Sequence, residues 1–167
     1  MDSLIRGQAW KFGCNINTDV IFPQRFSYKT NPKEIAEHAM EGLNPDFARE
    51  VKEGDIIVAG DNFGCGSSME HATIALKHSG IGAIIASSFA RIFYRNAICL
   101  GLPVIQSIEV YKKTEKGDKL EITLAYGEIK NITNNQVFHF KPLPDFLMEI
   151  LNDGGLIPHL TKKLKDR

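Results

Sequence analysis

A buried strand, a loop with three glycines and a helix follow one another between residues 55 and 78, and that order leaves few folds open. Asp55 to Ala59 is a short apolar run rich in β-branched residues, the composition of a strand covered on both faces. Gly60 to Gly66 form the loop, and the spacing predicts a helix from about Ser68 to His78, stopped by Gly80. A loop in this position opens at the carboxyl end of the sheet, where open α/β folds bind their ligands. Its glycines allow close backbone approach, and the helix start offers unpaired N–H groups and the positive end of a dipole to a carboxylate or phosphate. Ser67-x-x-Glu70 has the spacing of a capping box, which makes Ser67 a helix cap. A capping serine beside an anion site is also placed to act on the anion. The loop lacks the lysine of a phosphate-binding P-loop, the spacing of a dinucleotide fingerprint and the G-x-S-x-G turn of hydrolases, so those chemistries fall away.

Ala83 to Ala86 and Pro103 to Gln106 read as further buried strands, with a helix over Ser87 to Cys99 between them. Strands alternating with helices imply βαβ crossovers on a largely parallel sheet. Leu4 to Phe12 alternates and reads as an opening strand, and Gly13 to Thr30 as a loop. Asn31-Pro32 starts a helix through Ile35, Ala36 and Ala39 to Gly42, with Asn31 as its cap. After residue 107, Lys116-Gly117-Asp118 and Tyr126-Gly127-Glu128 punctuate alternating runs that include Leu120, Ile122 and Leu124, the mark of antiparallel hairpins. Pro144 to Leu151 reads as a late helix ended by Gly154-Gly155, followed by a basic, exposed tail. No repeat or linker divides the 167 residues, so the expectation is one α/β domain over residues 1–167, a mixed sheet with flanking helices.

Twenty basic and twenty acidic side chains cancel, which argues against nucleic acid or an anionic membrane as the partner. No run approaches the ~20 apolar residues of a membrane helix. Met1 to Trp10 has no apolar signal region, so the expected compartment is the cytoplasm. Cys14, Cys65 and Cys99 are too dispersed for a zinc or iron–sulfur site. Each is expected to be a small buried hydrophobe, with a disulfide disfavoured in a reducing compartment. No metal ligand set is expected in this chain.

Gly66-Ser67-Ser68-Met69-Glu70-His71 resembles the Gly-Ser-Ser-Arg-Glu-His motif of small subunits of the aconitase superfamily. Trp10-Lys11-Phe12-Gly13, Asn17-Thr18-Asp19, Ser88-Phe89-Ala90-Arg91-Ile92-Phe93-Tyr94-Arg95-Asn96-Ala97, and Pro144-Asp145-Phe146-Leu147 leading to Gly154-Gly155-Leu156 match in the same order. Together they cover nearly the full chain. The nearest likeness is to the short, archaeal-type small subunits of 3-isopropylmalate dehydratase and homoaconitase. The resemblance implies a swivelling β/β/α fold and a hydro-lyase that dehydrates and rehydrates a malate-type hydroxy acid. The first expectation is the interconversion of 2- and 3-isopropylmalate in leucine biosynthesis; the second is homoaconitase or another substituted-malate dehydratase. It also implies a large partner subunit holding a [4Fe–4S] cluster, whose open iron acts as Lewis acid on the substrate hydroxyl.

Residue by residue, the resemblance makes Ser67 the catalytic base, and makes Ser68 and the Gly66 backbone holders of substrate oxygens. Asp19, with Thr18, becomes a pocket-edge group. A serine removes a proton from carbon only if its alkoxide is stabilised, and backbone N–H groups at the helix start can supply that. On their own residues Thr18-Asp19 read equally as a turn or cap. Arg91 and Arg95, four apart, read as surface or interface ion-pair formers, and His71 as a packed or hydrogen-bonded residue.

Two departures stand out. Met69 occupies the place of the family's arginine, which pairs with a substrate carboxylate, and methionine donates no hydrogen bond. In the loop Arg25 to Thr30, Tyr28 and Lys29 occupy the positions that discriminate among substrates. Three readings stay open: Lys29 replaces the lost cation, the substrate is a different hydroxy acid, or the chain keeps the fold without chemistry. A self-sufficient enzyme is disfavoured, because no second acid–base pair or metal set accompanies Ser67.

Overall fold

The structure, a computed structural model, describes residues 4–167. Strand β1 (Leu4–Lys11) is the middle of seven and joins two unlike halves of one sheet. On one side lie β2 (Ile56–Ala59), β3 (Ala83–Ala86) and β4 (Val104–Gln106), all parallel to it. On the other lie β5 (Lys119–Thr123), β6 (Glu128–Asn131) and β7 (Gln136–His139), each antiparallel to its neighbour. The spatial order is β4-β3-β2-β1-β5-β6-β7. The expected mixed sheet with flanking helices is the observed one.

Every residue of β2 and β3 is buried, as their unbroken apolar runs require. Successive side chains point to opposite faces and feed two cores. Trp10, Ile57, Ala59, Ile84 and Ala86 pack toward the helices α1 (Thr18–Ile21), α2 (Pro32–Ala36), α3 (Phe47–Glu50), α4 (His71–His78) and α5 (Arg91–Cys99), meeting Ile21, Ile35, Phe47, Leu76 and Phe93. Ala9, Ile56, Val58, Ala83 and Ile85 meet Val110 of α6 (Ile108–Lys113) and Leu120, Ile122, Ile129 and Phe138 of the antiparallel strands. One cluster shared by both halves means that the sheet curls. The remaining helices are α7 (Asp145–Asn152) and α8 (Leu156–Lys165).

At the amino end of β2, the buried Asp55 carboxylate accepts hydrogen bonds from Gln8 N (3.0 Å), Trp10 Nε1 (2.9 Å) and Lys52 N (3.0 Å). It ties β1 to β2 in register with its charge answered by three N–H groups.

Several expectations are corrected. The helix expected from Ser68 begins at His71, and the one expected from Ser87 begins at Arg91. In both places the preceding residues are held by contacts to other segments, which a helix would break. The helix after Asn31 ends at Ala36 and gives way to turns, one with Met40 in a left-handed conformation (φ 57°). Its cap stands: Asn31 Oδ1 accepts from Lys33 N at 2.9 Å. The loop from Gly13 to Thr30 contains α1, capped by the Asn17 side chain on Val20 N at 3.0 Å, and a 3₁₀ turn at Gln24–Phe26. Leu124 belongs to a 3₁₀ turn and not to a strand. The segment after residue 107 opens with α6, capped by Ser107, and the basic tail is the amphipathic α8, whose Lys162, Lys163 and Lys165 complement its dipole.

The thiols also depart from expectation. Cys14 and Cys99 are exposed and Cys65 half-buried, and all three are free. Cys14 sits just past β1, where its sulfur accepts Asp61 N–H at 3.3 Å, and Cys99 ends α5 on its outer side.

Candidate active site

The loop after β2 owes its shape to glycine at two places. Gly64 has φ 81°, and a Cβ there would lie 2.1 Å from the Phe93 ring. Gly66 has φ 106°, with Thr18 Oγ1 3.2 Å from where its Cβ would be. Side chains are thus excluded by conformation at both and by crowding at the first.

The loop is held from two sides. Toward the start of the chain, Gly64 N donates to Ile16 O, and Thr18 N to Cys65 O, both at 2.8 Å. Ser67 N then donates to the hydroxyl of buried Thr18 at 3.0 Å. Toward the strand-to-helix connection after β3, Phe63 N donates to Ser88 O (3.0 Å) and Ala90 N to Phe63 O (2.9 Å). Asn96 of α5 donates to Ser68 O at 3.3 Å. Phe63, fully buried, packs edge-on against Phe89 and Phe93 beneath these bonds. Two serines with exposed hydroxyl-bearing side chains therefore sit on a fixed backbone at the carboxyl edge of the parallel strands.

The capping box does not form. Glu70 holds the cap position of α4 with helical backbone angles and makes no side-chain cap bond, so Ser67 lies a turn too early. Its hydroxyl accepts the Met69 N–H instead, at 3.2 Å. The result leaves the first turn of α4 without a side-chain cap and gives Ser67 Oγ one backbone donor. Met69 itself is half-buried against the helix-side core.

The second loop is built on stacked rings. Phe26 stacks on His38 with centroids 3.7 Å apart, and Phe22 on His71 at 5.4 Å. Arg25 pairs with Glu41 at 2.7 Å and lies over Phe26. His71 Nε2 sits 3.0 Å from the Lys29 carbonyl, the geometry of an Nε2–H donor. This is the packed and hydrogen-bonded role read for His71 in the sequence, and it ties the Lys29 loop to the first residue of α4. The Lys29 ammonium is 3.6 Å from Glu34 and 5.6 Å from the Tyr28 ring centroid, with its side chain only 18% exposed. Tyr28 projects outward, 75% exposed.

Of the residues singled out in the sequence, Thr18, Gly66, Ser67 and Ser68 form one connected group. Asp19 is exposed in the first turn of α1 beside it. Tyr28 and Lys29 join the group through His71. Asn96 was given no role in the sequence although it lies in the matched segment Ser88 to Ala97; the structure places its amide on the Ser68 carbonyl. Nearby, burial raises the Tyr111 pKa above the ordinary phenol value, with the Cys14 thiol and Asp61 adding to the shift, so this phenol stays protonated. Among the described residues no three His, Cys, Asp or Glu side chains converge in a way that could hold a metal ion, and no helix is long and apolar enough to cross a membrane.

Comparison with known proteins gives a consistent picture. The family described as aconitase C-terminal domain matches residues 9–109. The isopropylmalate/citramalate isomerase small subunit of Methanocaldococcus jannaschii is 54% identical, over 99% of each chain. The methanogen homoaconitase small subunit of Methanothermobacter thermautotrophicus is 51% identical, over 98% of this chain and 95% of its own length. A crystal structure of 3-isopropylmalate dehydratase from Methanocaldococcus jannaschii superposes with a TM-score of 0.91 at 46% identity, covering 96% of this chain and 95% of the other.

Proposed function

The chain belongs to the aconitase C-terminal domain family, as the small subunit of a 3-isopropylmalate dehydratase-type hydro-lyase, and from that premise we propose that Ser67 is the base acting on a malate-type hydroxy acid held between this chain and a large subunit. The observation that carries the reading is the state of Ser67. Its backbone is locked by Thr18, its hydroxyl accepts a backbone N–H, and it faces outward from the carboxyl edge.

An N–H aimed at the hydroxyl oxygen favours its deprotonated form, which a serine base needs. Ser67 Oγ takes the proton from the carbon next to a substrate carboxylate, and returns it in the hydration direction. Ser68 and the Gly66 backbone hold carboxylate oxygens, with the uncapped N–H groups of α4 beside them. Asp19, with Thr18, forms the rim. Tyr28 and Lys29 border the substituent that distinguishes one malate from another, and 3-isopropylmalate is the substrate assigned first. Among the described residues no donor set suits a cluster; in this reading a [4Fe–4S] group would be held by the large subunit and would supply Lewis acidity at the substrate hydroxyl. The complex works in the cytoplasm.

Ser67→Ala, assayed in the complex reconstituted with its large subunit, tests the assignment. The variant is expected to lose at least about a thousandfold in kcat with KM little changed. Since no capping box is lost, its stability should fall by only about 1 kcal/mol, the loss of one exposed hydrogen bond. Near-normal turnover by this variant would remove Ser67 from the chemistry.

A further inference from the structure

The arginines of this fold divide into two groups. Arg6, Arg25 and Arg49 each reach a carboxylate, on Glu121, Glu41 and Asp46. Arg91, Arg95 and, at the end of the described residues, Arg167 have no carboxylate partner among them, and the first two share one helix. Arg91 opens α5 and Arg95 stands one turn further along, and the first turn contains no acidic residue. Their charges repel one another, and that of Arg91, in the first turn, also opposes the positive end of the helix dipole, so the pair works against the fold. Such an arrangement is relieved by an anion brought from outside.

The surroundings indicate what brings it. Arg91 and Arg95 line a hollow of about 190 Å³ with Phe89, Tyr94 and Gln106. Gln106, the last residue of β4, also lines a second hollow of about 540 Å³, with Ser87, Ile108, Glu109 and His139 among its walls. There the Ser87 hydroxyl is buried and has no hydrogen-bond partner, while Ile108 leaves 52% of its surface exposed. Arginine, aromatic walls, an uncovered isoleucine and an unanswered buried hydroxyl are the makings of a protein interface. A small dicarboxylate at the arginines would leave Ser87 unanswered in the next hollow. A continuous chain segment crossing Gln106 reaches both.

We propose that the carboxyl edge of β3 and β4 is the docking surface for the large subunit, with Arg91 and Arg95 receiving carboxylate side chains of that partner and Ser87 a polar group of the same segment. This rests on the small-subunit reading above. The edge adjoins the Ser67 loop, since Asn96, next to Arg95, holds the Ser68 carbonyl. Docking here sets the partner's surface against the serines.

The test uses the full chain and its cognate large subunit, with association measured by calorimetry and by titrating activity against small-subunit concentration. Reversing both charges, Arg91→Glu with Arg95→Glu, is expected to raise the concentration for half-assembly by about a hundredfold. At saturating small subunit, kcat and KM should stay within about twofold of wild type. Arg91→Lys with Arg95→Lys should retain most of the affinity, and wild-type assembly should weaken steeply with added salt. Circular dichroism of the free variants guards against misfolding, and Ser87→Ala offers a second, uncharged probe that should also weaken assembly. Unchanged assembly in the charge-reversed protein overturns the proposal. So does a raised KM with assembly intact, which would give the arginines to the substrate. If wild type itself fails to bind the large subunit, the small-subunit reading falls and takes this one with it.

Discussion

At the scale of single residues, the charge balance of the proposed substrate pocket would turn on Lys29 and Met69. A dicarboxylate brings two charges into a closing site, and an unanswered one is costly. Met69 leans on the helix-side core, and Lys29 already faces Glu34, so the cation can serve substrate only by exchanging partners. Lys29→Ala should raise KM for substituted malates about tenfold, the worth of a lost charge-assisted hydrogen bond, with kcat nearly unchanged. Glu34→Ala, which frees the ammonium, should lower KM. Met69→Arg should recover part of the loss caused by Lys29→Ala. A panel of malates on which Lys29→Ala and wild type behave alike would dispose of the compensation idea. That Gly66, Ser67 and Ser68 share one loop at the strand end was legible in the sequence because they are contiguous. The grip of Thr18 on Ser67 was not, because it joins segments far apart in the chain, and only the fold reveals which turn faces which.

At the scale of elements, strands were read more faithfully than helices. Short apolar runs such as Ile56–Ala59 and Ala83–Ala86 have little other use than burial. Helix starts were placed early at Ser68 and Ser87 because local spacing cannot register the loop-to-loop bonds that keep those residues extended or turned. Helices of four residues, such as α1 and α3, are too short to show periodicity. The junction of α7 and α8 carries a pH-linked clasp. Asp153 accepts from His159 Nδ1 at 2.7 Å and from Lys162 Nζ at 2.9 Å. These bonds, that from His159 first, hold its pKa below the ordinary carboxylate value. A depressed pKa contributes stability above the unfolded value, and that contribution is lost as pH falls through the folded one. Wild type should therefore lose part of its stability below about pH 4, and Asp153→Asn should lack that component. Urea midpoints measured from neutral to acid pH check this; parallel curves for the two proteins would refute it.

At the scale of the whole molecule, the serines stand on an open edge, and the chain's own surfaces do not enclose them. The chain alone should be colourless and inactive on any malate, and mixing it with an anaerobically reconstituted large subunit should create dehydratase activity. Turnover by the purified chain without iron would contradict this. The placing of β1 has a further consequence, for how the molecule comes into being. Among the described strands the earliest in the sequence pairs with β2 and, through Leu4 opposite Thr123, with a strand that follows much later in the sequence. Until residue 123 has emerged, one side of β1 offers bare N–H and C=O groups to any passing strand. Such distant pairing also slows folding, because a long chain must close before the contact rewards it. The sheet is thus completed late, and for the nascent chain the hazard is premature pairing at that uncovered edge.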